Sequence, residues 1–535
     1  PVPVGYTLPT PLLQLFLRQP DGNWALDTER IERIVRTVRD STYPVILYLF
    51  ATHFSTDAPI EVELATDSRN LAQTRDGPMS QSLYYDSAIN NWSLASTQNA
   101  LTERRTQAAT ALLKALCRLP AEDLAKIKGL TLLGEVHHLF PDFEAGMGFD
   151  MPYRVTDYSA KSVADFREYL TKEFRQIEQF NRVVGTTYTS FDEVDAPSRD
   201  IRTEPLRRYT EHIDSFAHGS FPVSGWAFVR TTKHITPAWV HIYINGEFAG
   251  RTPVDKGRQD VLLAKPEFGS ANTGWRWNLD YRRLPAGLHR VNVFLESAPG
   301  QLIALGMREF AVMDKQQNPP VLQPQKPLPA HLSVGDSVQA YIDQPKNQAS
   351  YYYNPLVPLW HTFRGRQVAE YLKFFDNVVN QSCMSSKPHF THQILPFANP
   401  SWDENKFAID ASLNKAHTGN IRLGVSLYGD ASYGQSFNKW YAASGHRSYG
   451  VTEFHPLKAM NAIELNEVFD MHAENGAAFL SFFVEPHWKG EVVNRGHNLF
   501  SFDPANQKFG SDELYRAAQQ LLGTGVKTPA SPRTQ

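Results

Sequence analysis

The sequence predicts an α/β chain, a parallel (β/α)8 TIM barrel interrupted by an inserted antiparallel β-sandwich domain. Three observations predict it. In both outer portions of the chain, short continuous apolar runs alternate with amphipathic helical stretches, the pattern of a parallel sheet covered by helices. Between them, over about 216–312, the pattern changes to short alternating stretches with no helix, which describes a small sandwich. A run rich in proline (Pro319, Pro320, Pro324, Pro327, Pro329) then reads as a stiff connector back to the barrel.

Taken in order, the first apolar run, 12–17, is followed by the turn signal Gln19-Pro20-Asp21-Gly22 and a helix from Asp27, with Ile31, Ile34, Val35 and Val38 on one face and Asp27 as N-cap. Runs at 45–50 and 129–134 follow, separated by a helix over 103–118 that aligns Ala108, Leu112, Leu113 and Leu116. A helix over 162–174 comes next. After the insertion, 390–395, 421–427, 448–452 and 477–484 read as four more strands, with a helix over 462–475 between the last two. This makes seven strands, and an eighth is expected between Thr56 and Ser96, where 60–64 and 82–85 compete. Within the insertion, 223–229, 239–245, 274–279 and 289–295 alternate, and Asn245-Gly246 is a hairpin signal. The expected organisation is 1–215 barrel, 216–315 sandwich, 316–350 linker, 351–525 barrel and 526–535 disordered tail.

Composition bounds the function. Hydrophobic residues at 42% support a sizeable core, and 53 basic against 56 acidic residues give a formal charge of −3, with no basic field for nucleic acid. No apolar run approaches the ~20 residues of a membrane span. Cys117 and Cys383 are too few for a disulfide framework or a thiolate metal site, and form at most one bridge. The chain opens with Pro1, so an upstream segment is expected to have been removed, and a periplasmic or secreted location is favoured over a cytoplasmic one. Aromatics at 12% supply flat faces of the kind that bind sugar rings.

In a parallel barrel the C-terminal strand ends form the mouth, so acids directly after apolar runs are catalytic candidates. Glu135, Glu453 and Glu485 each stand there. Two of them facing one another would supply the proton donor and nucleophile that cleave a glycosidic bond. His137 and His455, each two residues beyond a candidate acid, are placed to donate hydrogen bonds to a carboxylate or a sugar hydroxyl. Trp402, Trp440 and Trp488 fall in or near loops after later strands, and Tyr428 and Tyr48 near strand ends, as candidates to line a sugar site. No cofactor and no metal is expected. Tyr351-Tyr352-Tyr353 is expected to dock the sandwich or a neighbouring subunit, as in a homo-oligomer.

The run Asp165-Phe166-Arg167-Glu168-Tyr169-Leu170, then Ile177-Glu178-Gln179-Phe180-Asn181, then Gly185-Thr186-Thr187-Tyr188-Thr189-Ser190-Phe191-Asp192-Glu193-Val194, resembles the segment after the acid/base glutamate in family 42 β-galactosidases and related clan A glycoside hydrolases. Thr452-Glu453-Phe454-His455-Pro456, a helix, and Phe479-Leu480-Ser481-Phe482-Phe483 are similar to that group's nucleophile strand, seventh helix and eighth strand. The resemblance implies a retaining hydrolase of an oligo- or polysaccharide, with Glu135 as acid/base at the end of a fourth strand, Glu453 as nucleophile on a seventh, and Glu485 lining the sugar subsite. One departure stands out. Gly134 occupies the place where that group carries an Asn whose amide binds the sugar 2-hydroxyl, so either another residue makes that bond, or the sugar differs at that position, or catalysis is impaired. The alternative reading is accordingly a weak or inactive polysaccharide-binding or scaffold protein on the same fold. A third pairs Glu135 with Glu485.

Overall fold

The computed structural model describes residues 2–51, 58–79, 81–84, 87–135, 148–149, 153–230, 238–395, 400–407, 413, 418–483 and 502–523. Its frame is an eight-stranded parallel sheet. In chain order the barrel elements are β1 (Val4–Pro9), α1 (Thr28–Asp40), β2 (Val45–Phe50), α2 (Ala100–Leu116), β3 (Ile127–Leu133), α3 (Ala160–Phe174), α4 (Leu356–Asn380), β4 (His389–Phe390) and β5 (Gln393–Ile394). They continue with β6 (Leu423–Tyr428), α5 (Gln435–Ser444), β7 (Tyr449–His455), α6 (Ala462–Glu474), β8 (Ala477–Phe483) and α7 (Ser511–Gly523). The strand order is β4-β3-β2-β1-β8-β7-β6-β5. Its two edge strands are consecutive in the chain, with only Thr391 and His392 between them, so this one line of backbone pairs with β3 on one side and β6 on the other and closes the barrel.

Local chemistry accounts for the helices. Asp27 caps α1 by accepting from the amide of Arg30 at 3.0 Å, and Ile31, Ile34, Val35 and Val38 are buried on the face turned to the sheet. Asn461 and Glu464 form a reciprocal capping box at the start of α6. Two apolar layers lie between sheet and helices, one joining β1, β2 and β3 to α1, α2 and α4, the other joining β6, β7 and β8 to α5, α6 and α7. Cys117, at the end of α2, is disulfide-bonded to Cys383, just beyond α4.

Three expectations are corrected. The first strand is 4–9, not 12–17. Leu12–Leu15 is a 3-10 turn, whose apolar side chains are buried beneath the helices rather than in the sheet, while the prolines around β1 masked a true strand. No strand of the barrel comes from 58–96 among the described residues: Pro59–Leu64 is a helix and Ser82–Tyr84 pairs only with Ser87–Ile89 in a hairpin. β2 bonds directly to β3, so Glu135 follows the third strand rather than a fourth, and the count of eight comes from the division of 389–394.

The insertion is a sandwich of two antiparallel-based sheets. One orders Lys256–Gly257, Asn272–Asp280, Ser220–Val229 and Val338–Gln344; the other orders Glu247–Pro253, Trp239–Ile244, Gly287–Ala298, Gln301–Val312 and Ala349–Tyr351. Their inner faces enclose Trp275, Val240, Ile242, Val293 and Phe310. The linker expected over 316–350 is therefore shorter, because its last third returns as two sandwich strands that the proline signal upstream obscured. Tyr351 stacks on Phe221 at 4.0 Å, so the tyrosine cluster does dock the sandwich. The tail expected over 526–535 lies outside the described residues.

Candidate active site

Two backbone irregularities aim the acids. β3 ends in two consecutive left-handed residues, Leu133 (φ 59°) and Gly134 (φ 83°), and the Gly134 amide bonds back to the Leu132 carbonyl at 2.6 Å. This γ-turn, a strained conformation for Leu, reverses the chain just before Glu135. In β7 the register against β6 shifts, Val425 facing Val451 but Ser426 facing Glu453. Tyr449 and Val451 lie in the apolar layer under α5 and α6, whereas Glu453 and His455, neighbours on one face of the same strand, bond to one another and Glu453 reaches His392 and Tyr428. The bulge at Thr452 thus changes which residues face inward, a common use of bulges next to sites.

The result brings together residues 318 positions apart. Glu135 is 4% exposed and Glu453 6%. The Tyr428 hydroxyl lies 3.4 Å from Oε1 of Glu135 and 3.1 Å from Oε2 of Glu453, so it bridges the pair. His455 Nε2 lies 2.9 Å from Oε2 of Glu453, and His392 Nε2 lies 2.7 Å from Oε1. With its proton on Nε2, His392 donates to the carboxylate, and its Nδ1, 2.9 Å from Thr131 Oγ1, accepts from that hydroxyl. The His392 ring stacks on Tyr48 (3.9 Å, 14°) and the His455 ring on Tyr428 (4.8 Å, 26°).

These surroundings separate the two acids electrostatically. Burial, then the neighbouring Glu453 charge, raises the Glu135 pKa well above its ordinary value, against a smaller lowering by the Tyr428 bond. Burial acts to raise Glu453 as well, but the hydrogen bonds from His392 and His455 outweigh it and hold this carboxyl far below the usual range. The two shifts run in opposite directions, favouring the protonated form of Glu135 and the ionised form of Glu453.

Gly134 is explained by Tyr48. A Cβ at residue 134 would fall 1.7 Å from the Tyr48 hydroxyl and 2.5 Å from its ring, so the phenol occupies the space a side chain would need. Of the remaining candidates, Trp402 is half-buried beside Tyr428 in the wall of a cavity at the mouth. Trp440 sits on α5, half-buried with Phe437 against the second apolar layer. Glu485, Trp488 and His137 lie outside the described residues. His392 was missed by sequence reasoning, although the polar triplet Thr391-His392-Gln393 inside an apolar strand was a signal for it. Among the described residues no cluster of three or more His, Cys, Asp or Glu is arranged to hold a metal ion, and no helix is long and apolar enough to cross a membrane.

No family model and no curated protein matches the sequence. The solved structures to which the chain is similar include a β-galactosidase from the psychrophilic Marinomonas ef1 (TM-score 0.46, 10% identity, 97% of this chain and 55% of that one). The catalytic domain of a β-amylase from Paenibacillus polymyxa is another (TM-score 0.45, 9% identity, 98% and 92%). An exo-carrageenase from Bacteroides ovatus is a third (TM-score 0.43, 8% identity, 96% and 48%). All three are glycoside hydrolases, and the chain spans about half the length of the first and third.

Proposed function

We propose that this chain is a retaining glycoside hydrolase, with Glu135 as general acid/base and Glu453 as nucleophile. The observation that carries the reading is the single phenol oxygen of Tyr428 touching both carboxyls. Its two bonds limit Glu135 Oε1 and Glu453 Oε2 to at most about 6.5 Å apart, which accommodates the ~5–5.5 Å spacing of double displacement better than the ~6.5–9.5 Å of inversion. The contrast in protonation serves the same chemistry.

In the first step a carboxylate oxygen of Glu453 attacks the anomeric carbon as the glycosidic C–O bond breaks, and Glu135 gives its proton to the departing oxygen. A glycosyl ester of Glu453 and a free alcohol result. In the second, Glu135, now a carboxylate, takes a proton from water, whose oxygen displaces Glu453 and regenerates both acids. Three of about four acceptor positions on Glu453 are occupied by His392, His455 and Tyr428, which leaves one for bond making. The disulfide fits an oxidising compartment, and a periplasmic or secreted location is proposed with it.

The test is a panel of aryl β-glycosides with native, Glu135→Gln and Glu453→Gln proteins, followed by trapping with a 2-fluoro glycoside and mapping of the labelled peptide. Turnover by the native chain alone, with label on the Glu453 peptide, is expected. Label on the Glu485 peptide would reassign the nucleophile, and sugar binding without turnover would favour a binding or scaffold role.

A further inference from the structure

The barrel mouth is walled by the sandwich as well as by the barrel. A cavity of about 570 Å3 opens beside Tyr428, with Trp402, Tyr433 and Lys458 on the barrel side and the sandwich segment 257–272, including Gln259 and Leu262, opposite. The sandwich is fastened there. Arg276 Nη1 donates to the carbonyls of Pro400 and Trp402 at 3.3 and 2.9 Å, and Nη2 pairs with Glu404 at 3.4 Å. The backbone that carries Trp402 is thereby held by a sandwich strand.

The size falls within that of clefts that enclose small ligands, about 300–1,000 Å3. The lining charges are already committed. The Lys458 ammonium lies 4.4 Å from the Tyr433 ring centre, Asp430 accepts from Ser436 at 2.8 Å, and Glu464 caps α6 at the Asn461 amide. Besides these groups the lining offers the rings of Trp402, Tyr428 and Tyr433 and the amides of Gln259 and Asn272, a surface suited to neutral sugar rings.

We propose that this cavity is a saccharide subsite for neutral sugar units beyond the cleaved bond, with the inserted sandwich supplying one wall. The proposal rests on the glycosidase reading above and assigns the sandwich to substrate recognition. A substrate long enough to reach 257–272 gains binding that a short one does not.

The test titrates neutral β-linked gluco-, galacto- and manno-oligosaccharides of two to six units into the Glu135→Gln protein, and assays the native protein on the same series and on aryl monoglycosides. Affinity is expected to rise with length. Gln259→Ala/Leu262→Ala is expected to weaken binding of the longest sugars about tenfold relative to the shortest. Ser270→Trp, which adds bulk from an exposed position on the cavity rim, should give the same loss and guards against an effect of folding. Binding independent of length, no binding, or equal affinities in the native and both variant sandwiches would overturn the subsite. Failure of the native protein to cleave any glycoside would instead overturn the hydrolase reading, and the titration would still decide on the cavity.

Discussion

Replacing Gly134 by Ala tests the link between Tyr48 and the acid-bearing turn. The substitution carries two separable costs. At φ 83° an L side chain is strained by about 1–2 kcal/mol. Its Cβ would meet the Tyr48 hydroxyl at 1.7 Å and Cζ at 2.5 Å, and overpacking of this kind costs about 1–3 kcal/mol. Together they predict a loss of about 2–5 kcal/mol. Gly22→Ala is the control, since its φ is 86° and nothing lies within 4 Å of its would-be Cβ, so it carries the strain alone. Denaturant midpoints of both variants isolate the contact. Tyr48→Phe should rescue Gly134→Ala poorly, because the ring carbon remains at 2.5 Å, whereas Tyr48→Ala removes the three nearest atoms. In that double-mutant cycle the combined loss should fall short of the sum of the single losses by about 1–3 kcal/mol. Glycosidase activity should drop about 100-fold in Gly134→Ala, the usual result of a misplaced reacting group. Equal losses at residues 22 and 134, or strict additivity with Tyr48→Ala, would refute the reasoning.

Four more outcomes are expected. The pH profile of kcat/KM should be a bell, its acid limb set by the depressed Glu453 and its alkaline limb by the raised Glu135; Tyr428→Phe removes a bond that lowers Glu135, so the alkaline limb should move to higher pH, and a move downward contradicts the assignment. Because the folded Glu135 holds its proton above the unfolded pKa, folding loses stability as pH rises past about 4.5, so Glu135→Gln should gain on the native chain between pH 4 and 8 in denaturation measurements. Asp214 is held down to about 2, burial being outweighed by bonds from His212, Arg202 and the Phe216 amide; Asp214→Asn should cost about 2 kcal/mol at pH 7, a difference that shrinks as pH falls from about 4 to 2. Cys117→Ala/Cys383→Ala opens a 266-residue separation and should lower stability by about 4–5 kcal/mol, and an unchanged denaturant midpoint would count against the bridge.

The barrel was legible where periodicity and burial coincide. Ile31, Ile34, Val35 and Val38 face the core as their spacing predicts, and 45–50 and 477–483 lie in the sheet. It was illegible where an element's composition argues against its role. β1 is bracketed by prolines, and 12–15 is apolar because its 3-10 turn is covered by helices, not because it is a strand of the barrel. Glu135, Glu453 and Tyr428 could be chosen because each stands at the end of an apolar run, and His455 because it lies two residues beyond Glu453. The bulge at Thr452 could not, since a one-residue change of phase depends on the neighbouring strand and leaves no mark on composition.

His392 shows why the remainder of the site needs the three-dimensional frame. It stands in the two-residue break between β4 and β5, where the chain exchanges β3 for β6 as its hydrogen-bonding neighbour. There it reaches Thr131 at 2.9 Å and Glu453 at 2.7 Å. Two carboxyls joined through one phenol cannot both ionise cheaply in a buried mouth, so one needs dedicated donors and the other must keep a proton. The barrel meets that requirement asymmetrically. Glu453 has two imidazoles, His392 and His455, aimed at its two oxygens, and the first of them stands at the closure point of the barrel, so that point also helps to make the two acids unequal.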